Sequence, residues 1–363
     1  MAGIPFSLRR PELLYRGLVV DRDRPDLAGL ERITSPEAFV WAMLPHAARS
    51  FAASIIMLPA GQAQTSAVAY LYARMLDTYE DLIPDPAAQR TALMSFAARF
   101  SIDPPGPAPA LEAARATDDR DRAHVLLVER VGLVDEVFLT LSVDDRKSIV
   151  ELIAAMADGM TWASNTFEQQ GGVLVSEEQR SRYCRYVIGQ PALFVLRLMT
   201  PGRINDAGRD DALVVSELIQ MANITRDIER DLAREVAYHS DLRDWLGQHE
   251  TPARHAAVLQ VRRALLVEAL MKVPAFGKLL RASALPFLSR ARGSAILMLL
   301  FTERYYRGAV FRVGGTAWQG PNTAPTLYAR ALRAAGSPGQ ANREVARVEA
   351  NFLAAARDLR ADG

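Results

Sequence analysis

The chain has 363 residues, half of them hydrophobic, and a formal net charge of +1. That balance allows a sizeable core and excludes a global electrostatic pull toward nucleic acid or an anionic surface. Its single cysteine, Cys184, excludes an intrachain disulfide and suits a reducing compartment. No apolar run reaches the ~20 residues of a membrane span, and the first ten residues lack the charged-then-apolar order of a signal peptide. The expectation is a soluble cytoplasmic protein, with greasy substrates able to draw it to a membrane surface. Its cations are almost all arginine, which suits bidentate phosphate contacts.

Segments rich in Ala, Leu, Arg and Glu, broken by Pro and Gly and poor in strand signals, predict an all-α chain. Helices are expected over 35–58, ended near Pro59-Ala-Gly61, over 62–83, stopped by Pro84-Asp-Pro86, and over 87–100. The run from Asp103 to Pro109 carries four prolines, cannot be helical and reads as a surface loop. Further helices are expected over 122–140, 144–170, 176–200, 207–235, 252–272 and 291–312, with a short irregular or helical piece between Pro274 and Pro286. The tail from Thr316 begins with Trp, Gly and Pro and regains helical character from 340. The organisation expected is an N-terminal extension (1–34), one α-helical domain (35–315) and a partly helical C-terminal extension (316–363).

Two acidic stretches stand out, Asp77-Thr-Tyr-Glu80-Asp81 and Asn223-Ile-Thr-Arg226-Asp227-Ile-Glu229-Arg230-Asp231. Each puts two aspartates four apart in a Pro-free helical segment, so both side chains share one face, one turn apart. Asn223 extends the second stripe by a further turn. A solvated charged face is the ordinary fate of such a cluster. Against it, the segment Ala67–Ala73 ahead of the first motif is nearly all apolar or aromatic, and buried carboxylates need a partner or a metal. Two such helices facing each other would offer hard oxygen ligands of the kind Mg²⁺ prefers, and Mg²⁺ commonly brings a diphosphate.

Two other segments are Arg49-Ser50-Phe51 and Tyr183-Cys-Arg-Tyr186-Val-Ile-Gly189-Gln190-Pro191-Ala192. Alone, each is ordinary helix. Taken in order with the acidic motifs, and with the second acidic motif opening at Gln220, they resemble the squalene/phytoene synthase family over roughly residues 40–312. Arg304-Tyr-Tyr306 looks like that family's carboxy-proximal Arg-x-Tyr. The resemblance implies a single-domain all-α isoprenoid synthase bundle with a central cavity. It implies that Asp77, Asp81, Asn223, Asp227 and Asp231 hold Mg²⁺. Arg49, Ser50, Arg74, Arg226, Gln220 and Tyr306 would then meet diphosphate, with Tyr183 beside the reacting carbons and Asp77 and Asp227 essential to turnover. Metal and arginine would neutralise a departing diphosphate, and a dry aromatic cavity would shelter the allylic cation.

The chain departs from the family pattern in places. Ala48 stands where the family has serine, Gln190 and Pro191 interrupt a small apolar stretch, and Arg230-Asp231 replaces Glu-Asp. Because the changes gather where a second prenyl chain would run, the acceptor expected is an electron-rich aromatic ring held near Phe51, Tyr186 and Gln190. The donor would be an allylic diphosphate of the dimethylallyl to farnesyl class. The alternative is head-to-head condensation of two prenyl diphosphates, giving squalene, dehydrosqualene or phytoene-type products. A weaker alternative is a non-catalytic helical partner subunit. No Gly-rich dinucleotide fingerprint occurs, although family members use NADPH without one.

Overall fold

In a computed structural model of the chain, the residues described are 6–19, 24–48, 50–112, 116–200, 202, 204–316, 318 and 323–361. Among them every regular element is helical, and the β contact present is an isolated parallel bridge between Val173 and Ala237. The contacts divide the chain into two compact units, Met1–Thr161 and Trp162–Gly363.

The first unit contains α1 (Phe6–Val19), α2 (Leu27–Glu31), α3 (Pro36–Ala48), α4 (Ser50–Met57), α5 (Ala60–Leu82), α6 (Pro86–Ala98), α7 (Asp119–Glu129) and α8 (Val131–Leu139). The unit boundary falls within the next helix, α9 (Val143–Gln169). Helix α5 is the centre of this unit, packed by α3, α4, α6, α7 and α8. Its Leu71, Tyr72, Met75, Leu76 and Tyr79 side chains are fully buried. The two buried phenols are satisfied, as burial demands. Tyr72 donates to Asp135 at 2.7 Å, and Tyr79 donates to the Pro109 carbonyl at 2.7 Å. Arg99 forks onto Asp135 and also donates to the Gly106 carbonyl, tying down the proline-rich loop. The expected stop after α5 is seen at Ile83-Pro84, and α6 restarts with Asp85 capping the Ala88 amide and Pro86 in the first turn.

One expectation changes in this unit. The helix expected over 122–140 is broken at Arg130 into α7 and α8. The cause is tertiary: Arg130 donates to the carbonyls of Leu30 and Glu31 and lies over the Phe39 ring. Within the described part of residues 1–34, α1 packs on α3 and α4, and α2 packs on α3 and α7. Arg10 anchors α1 by donating to the Leu58 carbonyl at 2.8 Å.

The second unit contains α10 (Glu177–Cys184), a π-helical turn (Arg185–Gly189), α11 (Gln190–Met199), α12 (Asp206–Ala233), α13 (Pro252–Leu270), α14 (Pro274–Ala282), α15 (Arg290–Arg312), α16 (Ala324–Gly336) and α17 (Pro338–Ala361). Helix α12, capped by Asn205, is packed by α10, the π turn, α11, α13, α14 and α15. The helix expected over 176–200 is thus interrupted. Pro191 has no amide hydrogen to continue the ladder. The Gln190 amide bonds the Arg185 carbonyl five residues back, which widens the turn. At Gly189 the widened turn presses on α12. A Cβ there would lie 2.9 Å from Leu213 Cδ2 and 3.1 Å from Ser216 Oγ.

The helices of the tail also pack in this unit. Helix α16 lies on α15, and α17 lies on α13, α14 and α15. Buried Glu303 of α15 receives both arms of Arg347, at 2.5 and 2.6 Å, with Asn351 and Trp318 as further donors.

Candidate active site

The first acidic motif forms a polar stripe on α5. Tyr70, Arg74, Asp77 and Asp81 follow one another at spacings of four, three and four, which keeps them on one face. The opposite face is the buried one described above. Arg74 donates to Asp77 at 3.1 Å and reaches the Tyr70 hydroxyl at 3.4 Å. Burial raises the Asp77 carboxyl to about 6 against the pull of Arg74, and Asp81 adds to the rise. Burial works against the Arg74 charge, but Asp77, Tyr70 and Asp81 outweigh it and its pKa is raised. Phe51 stacks on Tyr70 at the head of the stripe, with ring centroids 5.7 Å apart. Arg49 and the Ser50 side chain, both expected at the diphosphate, lie outside the described residues.

The second motif forms a similar stripe on α12, of Gln220, Asn223, Asp227 and Asp231. Asn223 Nδ2 donates to Gln220 Oε1 at 2.9 Å, which makes the Asn223 amide oxygen the end that could hold a cation. Arg226 forks onto Asp227 with contacts of 2.8 and 2.6 Å. Burial lowers the Arg226 pKa, but the hydrogen bonds and charge of Asp227 outweigh it and the net shift is upward. Glu229 turns away and pairs with Arg262 at 2.5 Å.

Every donor in these stripes is a hard oxygen, which fits Mg²⁺ rather than a soft metal. The half-buried Asp77 carboxyl is incompletely neutralised by Arg74, the condition a divalent cation relieves. Among the described residues no three Asp, Glu, His or Cys side chains gather into one metal-binding group. Each motif supplies two carboxylates, and the second adds the Asn223 amide oxygen.

The remaining expected residues divide. Tyr183 is buried on α10 and accepts a hydrogen bond from the Tyr238 hydroxyl at 3.2 Å. Tyr186, in the π turn, packs at 6.1 Å from Trp162, and Arg182 caps both rings. Gln190 is half-buried at the start of α11, where its amide closes the π turn. Tyr306, expected at the diphosphate, is fully enclosed. Its hydroxyl donates to the Leu218 carbonyl at 2.6 Å, so it braces α12 rather than reaching a ligand. Its neighbour Tyr305 has its hydroxyl 2.9 Å from the buried Thr225 Oγ1 of α12 and lies close enough to Arg312, Arg226 and Arg262 to feel their charge. Tyr238 was missed because no local spacing ties it to Tyr183.

Fold and site together define an all-α protein with two acid-rich helix faces, each with an arginine gripping its leading aspartate. The sequence profile of the squalene/phytoene synthase family matches residues 44–310, and the chain belongs to that family. Among curated relatives, it is 26% identical over 220 residues to a squalene synthase of Schizosaccharomyces pombe, covering 58% of this chain and 45% of that one. It is also 26% identical over 249 residues to Botryococcus squalene synthase of Botryococcus braunii, covering 64% and 50%. The chain spans about half the length of the curated relatives it matches. The structure of TcSQS in complex with the ligand BPH1237 superimposes with a TM-score of 0.65 at 19% identity, over 90% of this chain and 99% of that one. The complex of TcSQS with E5700 superimposes with a TM-score of 0.64, again at 19% identity, 90% and 99%. The all-α isoprenoid synthase fold expected from the motifs is the fold of this chain. Among the described residues no helix is long and apolar enough to cross a membrane.

Proposed function

We propose that the chain is a Mg²⁺-dependent prenyltransferase that joins two allylic prenyl diphosphates head to head and releases diphosphate. The observation that carries this reading is the family match across 44–310, which contains both acidic stripes and Tyr183. Asp77 and Asp81 would hold Mg²⁺ in the first motif, and Asn223, Asp227 and Asp231 in the second. The metal, when bound, supplies the positive charge that lets an allylic C–O bond ionise. Arg74 and Arg226, each paired with an aspartate, have the guanidinium geometry to serve phosphate oxygens. Tyr183 would stand beside the reacting carbons, its hydroxyl oriented by Tyr238.

The aromatic-acceptor expectation rested on Gln190 and Pro191, and the π turn gives that pair a structural account. Pro191 is accommodated by the wider ring, and the Gln190 backbone closes it. Both curated relatives carry the name squalene synthase. Head-to-head condensation, the alternative reading of the sequence, therefore replaces the aromatic one. The retained acidic and arginine residues speak against a non-catalytic subunit.

The test is purified protein with Mg²⁺ and farnesyl or geranylgeranyl diphosphate, with and without NADPH, and products read by mass spectrometry. A symmetric hydrocarbon or a cyclopropyl diphosphate from one donor alone is expected. A product formed only when an indole, carbazole or phenol is added would overturn the reading.

A further inference from the structure

Tyr238 lies beyond the second acidic motif and belongs to none of the motifs read from the sequence, yet its position is over-determined. Its residue neighbour Ala237 forms the parallel bridge with Val173, closed by Leu174 N–H to Ala237 O at 2.9 Å and Ala237 N–H to Gly172 O at 2.8 Å. Gly172 is required there. It has φ +85°, and a Cβ would lie 2.2 Å from the Glu235 carbonyl oxygen. Arg180 of α10, itself paired with Glu268, donates to the Tyr238 carbonyl at 3.1 Å. Phe167 meets the Tyr238 ring edge-on at 5.7 Å. All of this holds one phenol 5.1 Å, ring to ring, from Tyr183, with its hydroxyl donating to the Tyr183 oxygen at 3.2 Å. Tyr238 also lines a small recess with Asp231, Ile224 and Ile228.

We propose that Tyr238 is the positioning residue for Tyr183, aiming and polarising the Tyr183 phenol. The proposal rests on the reading of Tyr183 as the phenol beside the reacting carbons. A hydroxyl that accepts one hydrogen bond becomes a better donor of its own proton. Tyr238 would act through that bond and not by touching substrate.

Tyr238→Phe keeps the ring stack and removes only the donor. Two measurements on the full chain decide the matter. In steady-state kinetics with the donor that wild type uses, kcat is expected to fall about tenfold while KM stays within about twofold. In urea unfolding, Tyr238→Phe and Tyr183→Phe are expected to be non-additive by at least about threefold in the unfolding constant. Wild-type kcat in Tyr238→Phe overturns the proposal, and so does a lowered kcat with strictly additive unfolding effects, since the loss would not pass through the bond. Wild type inactive on every donor overturns the prenyltransferase reading instead, and the unfolding cycle still decides whether the bond exists.

Discussion

Asp77 and Asp227 have the same local surroundings, a carboxylate on a half-buried helix face gripped by an arginine of the same helix. Under the proposed function each loses its charge as a ligand when changed to Asn. Asp77→Asn and Asp227→Asn are therefore expected to lower kcat/KM by roughly 1,000-fold or more, with helical circular dichroism unchanged. Turnover near the wild-type rate in either variant would remove the metal-ligand assignment. Tyr306 makes the opposite prediction. Its hydroxyl serves the Leu218 carbonyl inside the unit, so Tyr306→Phe should cost about 1–2 kcal/mol in chemical denaturation. Its KM for prenyl diphosphate should not move. A large rise in KM would restore the ligand role that the motif suggested.

At the scale of elements, α10 and α12 are locked together around Glu217. This carboxylate is almost fully buried and receives Ser181 at 2.5 Å, Arg185 at 2.9 Å and Lys272 at 2.9 Å. Burial alone would raise its pKa, but the hydrogen bonds from Ser181, Lys272 and Arg185 prevail and hold it below the ordinary value of 4.5. A carboxylate depressed in the folded state contributes stability that is complete above its unfolded pKa and is lost as pH falls through the folded one. Thermal unfolding should therefore show a loss of stability on acidification below about pH 4.5 that is reduced in Glu217→Gln. At neutral pH the same change should cost about 3 kcal/mol, because it leaves Lys272 facing a neutral amide. The π turn makes a second element-scale prediction. Gly189→Ala forces a methyl against Leu213 and Ser216, and urea unfolding should register about 1–2 kcal/mol of destabilisation.

For the whole molecule, the terminal helices α1, α2, α16 and α17 all pack on other helices of their units. Removing residues 316–363 would uncover the face of α15 that α16 and α17 bury and leave Glu303 without Arg347 and Asn351. A buried carboxylate stripped of its partners costs several kcal/mol. The truncated chain is expected to lose cooperative unfolding by calorimetry. A truncated protein that melts as the full chain does would make the tail dispensable.

Much of this was legible from the chain itself. Proline and glycine stops placed most helices, because those residues act on the backbone where they stand: Pro84 ends α5 and Pro252 opens α13. Aspartates four apart on a helix must share a face, so the stripes of α5 and α12 follow from spacing and period alone. Family membership followed from the order of the motifs. Features that depend on distant partners were decided only by tertiary structure. The break at Arg130 answers to carbonyls about a hundred residues away. That Tyr306 reaches the Leu218 carbonyl and Tyr305 the Thr225 hydroxyl depends on how α15 seats against α12. Tyr238 reaches Tyr183 through a bridge to the loop after α9. Local sequence sets backbone preference and facial periodicity, whereas such contacts exist only once the chain has closed on itself and satisfied its buried polar groups.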